Sequence, residues 1–214
     1  MGRGADTLKV FIATLGWSCI AYVEFCDDEK VETLIRAHEN ALLAFGGAPK
    51  EVLYDNMRTV VLERNAYGRG VHRFHAGFLD YARHAGFMPR LCQPYWAQTK
   101  GKVERIIGYL KRSFWIPFVA SMRQAGLRPD KQAANAAVAR WLREVANTRI
   151  HATTGEVPAE RLLIERQSLQ PLSTLYGVRS IRSVQQQSAA PRKAIIGYQH
   201  PLSVSDALFP EVCS

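Results

Sequence analysis

Two apolar runs open the chain, Lys9-Val10-Phe11-Ile12-Ala13-Thr14-Leu15 and Cys19-Ile20-Ala21-Tyr22-Val23-Glu24-Phe25, separated by Gly16-Trp17-Ser18. Two β-rich runs around so short a break predict an antiparallel hairpin. The apolar spacing then changes to threes and fours. Val31, Leu34, Ile35, His38, Leu42, Leu43 and Phe45 recur as one helical face, with Asp27 and Asp28 expected to cap its start and Gly46-Gly47 to end it. The run Glu51-Val52-Leu53-Tyr54 comes at once and reads as a strand closed by Asp55-Asn56. A hairpin, a helix and another strand describe a layered α/β architecture.

After Asp55 the pattern weakens until Val71, where helical spacing returns through Phe74, Phe78, Leu79, Tyr81 and Ala82 and stops at Gly86. The run from Phe87 to Cys92 predicts a last strand, at a sheet edge because Pro89 has no N–H for a ladder. Pro94 to Thr99 reads as a link to a helix whose stripe is Val103, Ile106, Ile107, Leu110 and Phe114. Beyond Pro117 only helices are expected. Asp130 caps one carrying Val138, Trp141, Leu142 and Val145, and Pro158 stands in the first turn of another that runs to about Leu169. From Gln170 the Ser, Gln, Arg and Pro content rises. This predicts a mostly disordered basic tail, with a short helix near Val204 to Phe209. The organisation read from the pattern is a core over 1–118, a helical extension over 119–169 and the tail over 170–214.

Composition narrows the classes. With 214 residues, 47% of them hydrophobic, the chain can bury one main core plus appendages. Lys and Arg number 28 against 19 Asp and Glu, a net +9, which favours polyanionic partners and nucleic acid first among them. No stretch approaches the length of an apolar membrane span and no signal segment starts the chain, so a soluble, cytoplasmic protein is expected. Cys19, Cys26, Cys92 and Cys213 form no C-x-x-C pair and have no His at zinc-finger spacing, which indicates incidental thiols.

The candidate chemistry lies in two carboxylates. Asp55 ends a strand, and 49 positions later Glu104 stands in the basic helix Lys100-Gly101-Lys102-Val103-Glu104-Arg105. Taken singly, each has an ordinary explanation: Asp55 starts a turn, and Glu104 is a solvated partner of Lys100 one turn away. Together they suit a divalent metal, because ligands gather outside the carboxyl ends of strands and a following helix can present its first turn there. Two bare carboxylates about 5 Å apart repel by roughly 3 kcal/mol at an effective dielectric near 20, so such a pair implies a cation. Gly108 leaves room beside the Glu104 carboxylate, while Lys100, Lys102, Arg105, Lys111 and Arg112 offer positive charge for a phosphate backbone. His72 and His75, three apart on the expected helix, lack a matching acidic or Cys ligand and suit a surface role. Tyr95 and Trp96 either anchor their loop or stack on an unpaired base.

The segments Phe11-Ile12-Ala13-Thr14-Leu15-Gly16-Trp17-Ser18, Ala44-Phe45-Gly46-Gly47-Ala48-Pro49, Leu53-Tyr54-Asp55-Asn56-Met57-Arg58-Thr59-Val60-Val61 and Gln98-Thr99-Lys100-Gly101-Lys102-Val103-Glu104-Arg105 resemble the integrase-type core of IstA-type insertion-sequence transposases. His151-Ala152-Thr153-Thr154-Gly155-Glu156-Val157-Pro158-Ala159-Glu160-Arg161 is similar to the segment that lies after that core, and the likeness covers about residues 8 to 170 in the family's order. The resemblance implies an RNase H-like (retroviral-integrase-type) fold and a DDE site holding two Mg²⁺ or Mn²⁺ ions. Its second and third acidic positions fall on Asp55 and Glu104. It implies metal-dependent transposition: cutting of element ends, then in-line attack of the freed 3′-hydroxyl on target DNA. It also implies a homo-oligomer working with an ATPase helper protein.

The match has one departure. The family's first catalytic Asp lies on a strand before the hairpin, and only Met1 to Leu8 stand there, with Asp6 where a turn belongs. The expectation is therefore a core without its first strand and first carboxylate, an N-terminally truncated copy. Three readings stay open: an enzyme in which another group replaces that Asp, a DNA-binding remnant without catalysis and, more distantly, a metal-dependent nuclease of the same fold.

Overall fold

The computed structural model describes residues 8–55, 57–68, 70–92, 97–174, 176 and 196–199, with residues 97–103 and 196–199 described as backbone only. The expected hairpin is β1 (Lys9–Thr14) and β2 (Ala21–Cys26), paired antiparallel from Lys9 opposite Cys26 to Thr14 opposite Ala21. Helix α1 (Val31–Phe45) comes next and ends on Gly46, whose φ of 84° is the left-handed conformation that glycine adopts without strain. Strand β3 (Glu51–Tyr54) leads to a small hairpin of β4 (Val61–Glu63) and β5 (Arg73–Phe74). Helix α2 (Ala76–Ala85) leads to β6 (Met88–Leu91), which pairs parallel with β3 at the sheet edge, where Pro89 is tolerated. The helices α3 (Ala97–Leu110), α4 (Ile116–Gln124), α5 (Lys131–Trp141) and α6 (Pro158–Glu165) complete the helical part.

One strand was not foreseen. β7 (Ile196–Gln199) enters the middle of the five-stranded sheet, whose order is β2-β1-β7-β3-β6. It runs parallel to β3, from Glu51 opposite Ile196 to Tyr54 opposite Gln199, and antiparallel to β1 at Ala13 and Thr14. Phe87 to Cys92 is therefore not the last strand. Residues from Gln170, read as tail, also engage the core: Ala48 and Gln170 exchange two backbone hydrogen bonds of 2.9 and 2.8 Å, and the Tyr176 hydroxyl donates to Asp80. The expected helix near Val204 to Phe209 lies outside the described residues, as do Asp6, Tyr95 and Trp96.

The sheet is buried on both faces, which is why β1 reads as a near-continuous apolar run. Alternation along the strands sorts the core into two layers. Phe11, Val52 and Tyr54 pack with Leu34, Phe45, Phe78 and Tyr81 under α1 and α2. Val10, Ile12, Val23 and Phe25 pack on the other side with Ile107 and Leu110 of α3 and Val138 of α5, and Leu53 joins them there. The outer edge of β2 is covered by two asparagines. The Asn135 amide accepts from the Phe25 N–H at 2.7 Å and donates to its carbonyl at 2.9 Å; Asn147 does the same for Ala21 at 3.0 Å each. Side-chain amides thus stand in for a further strand. The turn between β1 and β2 is held by the buried Glu165 of α6, which accepts the Ser18 N–H at 2.9 Å and the Trp17 N–H at 3.4 Å.

Several local expectations change. The residue before α1 is Lys30, and neither Asp27 nor Asp28 is the cap. The Asp28 carboxylate accepts the Lys30 N–H and the Thr33 hydroxyl, while Asp27 pairs with Lys131. Asp130 does cap α5, accepting the Ala133 N–H at 2.7 Å. Helix α2 starts at Ala76, so His72 and His75 share no helix face: His72 lies in a loop and accepts the Asn65 N–H, and His75 precedes the helix. Helix α3 starts at Ala97, well before Glu104, which places that residue in the helix body and not in its first turn.

Candidate active site

The strand end that carries Asp55 is pinned from three sides. Tyr54 is wholly buried and its hydroxyl is 2.9 Å from His38 Nε2, while His38 Nδ1 is 2.9 Å from the Leu34 carbonyl oxygen. A carbonyl only accepts, so Nδ1 carries the proton and Nε2 accepts from Tyr54. The Tyr54 carbonyl accepts the Cys92 N–H at 2.9 Å, extending the ladder past β6, and the Asp55 carbonyl accepts the Met57 N–H at 2.8 Å in a tight turn. Asp55 itself is half-buried. Burial pushes the Tyr54 hydroxyl pKa well up and the His38 pKa down to about 4, so both are neutral supports of the strand end.

Alternation carries Asp55 to the sheet face of Leu53, and that is the face on which α3 packs through Ile106, Ile107 and Leu110. Glu104, exposed on α3, thereby belongs to the same layer of the fold as Asp55. Among the described residues no three His, Cys, Asp or Glu side chains gather as a metal-holding group. Two carboxylates are hard oxygen donors of the kind Mg²⁺ takes, one or two at a time, beside water and phosphate oxygens. The donor set therefore fits one such cation.

Of the basic candidates, Arg105 and Arg112 are exposed and Lys111 is half-buried, while the side chains of Lys100 and Lys102 lie outside the described residues. Lys111 opens a wide turn, Lys111–Trp115, in which the Ile116 N–H reaches back five residues to the Lys111 carbonyl. Such a π-type turn rotates the next stretch of helix about its axis, and Phe114 packs into the core against Phe25. The space beside Gly108, expected to serve the Glu104 carboxylate, is taken by the Arg112 guanidinium, whose Nη1 lies 3.2 Å from where a Cβ would stand. Sequence reasoning missed Arg149. Its guanidinium carbon sits 3.7 Å over the Tyr109 ring, and a separation of forty positions hid the pairing. Among the described residues Cys19, Cys26 and Cys92 stand outside any disulfide, and burial, helped by Glu24, pushes the Cys26 pKa up to about 12.

Solved structures that share this architecture include a retroviral integrase core and a viral intasome. The catalytic core domain of BIV integrase matches with a TM-score of 0.51 and 15% identity, over 78% of this chain and 92% of that one. The simian T-cell lymphotropic virus intasome in complex with a PP2A regulatory subunit matches with a TM-score of 0.50 and 15% identity, over 85% and 54%. The chain thus has the RNase H-like α/β fold of retroviral-integrase catalytic cores. No protein-family model matches it. Among curated proteins, a transposase of insertion sequence element IS5376 from Geobacillus stearothermophilus is 39% identical over 165 residues, 77% of this chain and 38% of that protein. The IS21 transposase of Pseudomonas aeruginosa is 35% identical over 75% and 39%, and the IS640 transposase of Shigella sonnei 34% over 70% and 44%. Over about three quarters of its length the chain is similar to insertion-sequence transposases of the IstA type, and it spans about two fifths of the length of these relatives.

Proposed function

We propose that this chain is the integrase-type core region of a transposase, which binds DNA and takes part in strand transfer with one Mg²⁺ or Mn²⁺ between Asp55 and Glu104. The observation that supports this reading most directly is the layer shared by the two carboxylates: Asp55 just past the carboxyl end of β3, and Glu104 on the helix packed over that face. A divalent cation bound there would act as a Lewis acid on a phosphodiester and orient its oxygens. The protein's own part is to hold the cation through Asp55 and Glu104 and to fix that strand end through Tyr54 and His38. Arg105, Lys111 and Arg112, with Lys100 and Lys102, meet the DNA backbone, and the net +9 draws the duplex in. Element ends and target DNA as substrates, a homo-oligomeric assembly and an ATPase helper are carried over from the family resemblance. Two carboxylates hold one octahedral ion more readily than two, so a further ligand completes a two-ion site.

The test is Mn²⁺ binding to the purified chain, monitored by paramagnetic resonance. Asp55→Asn and Glu104→Gln should each weaken it at least tenfold while circular dichroism stays that of the parent. In a chain extended to the relatives' length, Glu104→Gln should lower strand joining at least a hundredfold with DNA binding retained. Unchanged Mn²⁺ affinity in both variants would remove the two residues from the site.

A further inference from the structure

We propose that Arg149, together with Arg105 and Arg112 around the ring of Tyr109, forms a second phosphate-binding patch for duplex DNA beside Glu104. This rests on the reading of the chain as a DNA-binding transposase core. Arg105, Tyr109 and Arg112 stand at i, i+4 and i+7, which puts them on one side of α3 and its continuation. Arg112 folds back toward Gly108, next to Tyr109. The third guanidinium comes from outside the helix. After α5 comes a second wide turn, Leu142–Ala146, in which the Asn147 N–H reaches back to the Leu142 carbonyl; Arg149 lies just beyond it, anchored by its own N–H to the Val145 carbonyl at 3.2 Å.

The support beneath Arg149 is a column of rings. Its guanidinium lies on Tyr109, Tyr109 lies 5.1 Å from Trp141, and Trp141 lies 5.5 Å from Phe114, which is buried in the core. Stacking uses the flat face of a guanidinium and leaves its five N–H donors in the plane around the edge. Those in-plane donors match the oxygens of a phosphodiester bidentately, and the ring fixes their direction before any ligand arrives. Arg149 is exposed, and among the described residues no carboxylate pairs with it. Arg105 adjoins Glu104 in sequence and Arg112 follows two turns on, so a backbone gripped there passes beside the candidate site.

The experiment compares the intact 214-residue chain with Arg149→Ala and Arg149→Lys on a fluorescent duplex of mixed sequence, with affinities measured from about 50 to about 200 mM KCl. Loss of one phosphate contact should lower the steepness of log affinity against log salt by about one and weaken binding about tenfold at low salt, whatever the duplex sequence. Arg149→Lys, which keeps the charge and loses the fork, should keep the steepness and bind a few-fold more weakly. If Arg149→Ala binds with the parent's affinity and steepness, the patch is not a DNA contact and the proposal falls alone. A lower melting temperature with unaltered DNA binding would reduce Arg149 to packing and overturn it equally. If the parent chain itself shows no salt-dependent binding to duplex DNA, the underlying reading of the chain falls too.

Discussion

His38 makes the stability of this fold depend on acid in a defined window. It is fully enclosed by Phe11, Tyr54, Phe78, Tyr81 and Phe87, with ring centroids 5.0 to 6.1 Å away, and it serves as a neutral link between Leu34 and Tyr54. Desolvation by this shell lowers its pKa from 6.5 to about 4, against a smaller opposing effect of the hydrogen bond to Leu34. Above pH 6.5 both the folded and unfolded chains hold it neutral, and stability does not depend on it. Between 6.5 and 4 the unfolded chain takes up a proton that the folded chain refuses, so stability falls as pH drops through that interval. The difference, 6.5 minus 4, corresponds at 1.36 kcal/mol per unit to about 3 kcal/mol, a large share of a typical domain's 5–15. Urea unfolding at pH 7, 5.5 and 4.5, parent against His38→Gln, isolates this contribution from the carboxylates that titrate nearby. The parent should lose about 2 kcal/mol more than the variant over the series, the rest of the difference appearing only at lower pH. Parallel curves, or a His38 ring that titrates near 6.5 in the folded protein by NMR, would refute the reasoning.

Two further outcomes are set by the backbone. Replacing Asn135 by Ala leaves the Phe25 N–H and carbonyl without their amide partner and should cost about 1–3 kcal/mol in chemical unfolding; an effect below about 0.5 would show that water replaces the amide freely. Gly197→Pro removes an N–H from the centre of the sheet, and amide exchange at Ala13, Thr14 and Val52 to Tyr54 should accelerate at least tenfold while α5 and α6 stay protected; equal protection in the variant would place β7 elsewhere in solution.

The parts legible in the sequence are those whose determinants lie close together along the chain. The β1–β2 hairpin, the Gly46 stop of α1, Pro89 at the edge, the Asp130 cap and Pro158 at the start of α6 each rest on a few neighbouring residues. β4 and β5 escaped because strands of three and two residues carry no period. The start of α3 was misplaced because Pro94 and the polar Gln98-Thr99 read as loop, and the start of α2 because Val71 and Phe74 extended an apolar stripe that belongs partly to β5. At the candidate site Asp55 and Glu104 stood out through family resemblance and charge context. Their surroundings did not, since Asn135, Asn147, Arg149 and Glu165 act on partners 40 to 148 positions away, and one chain's pattern does not encode such pairings.

The position of β7 also orders the events by which the molecule assembles. Thr14 meets Ala21 after a short excursion but meets Tyr198 only after 184 residues, 198 minus 14, a loop whose closure costs about 3 kcal/mol more entropy than the hairpin's. On the ribosome, α1 to α6 have all been made before the strand that joins the two halves of the sheet exists. Until then β1 and β3 face one another across a gap with unpaired N–H and carbonyl groups, the kind of open edge that recruits other extended chains. Synthesis that stalls before residue 199 therefore releases a product with a sticky seam through its middle, and aggregation, more than proteolysis of a loose end, is the fate that the topology sets for it.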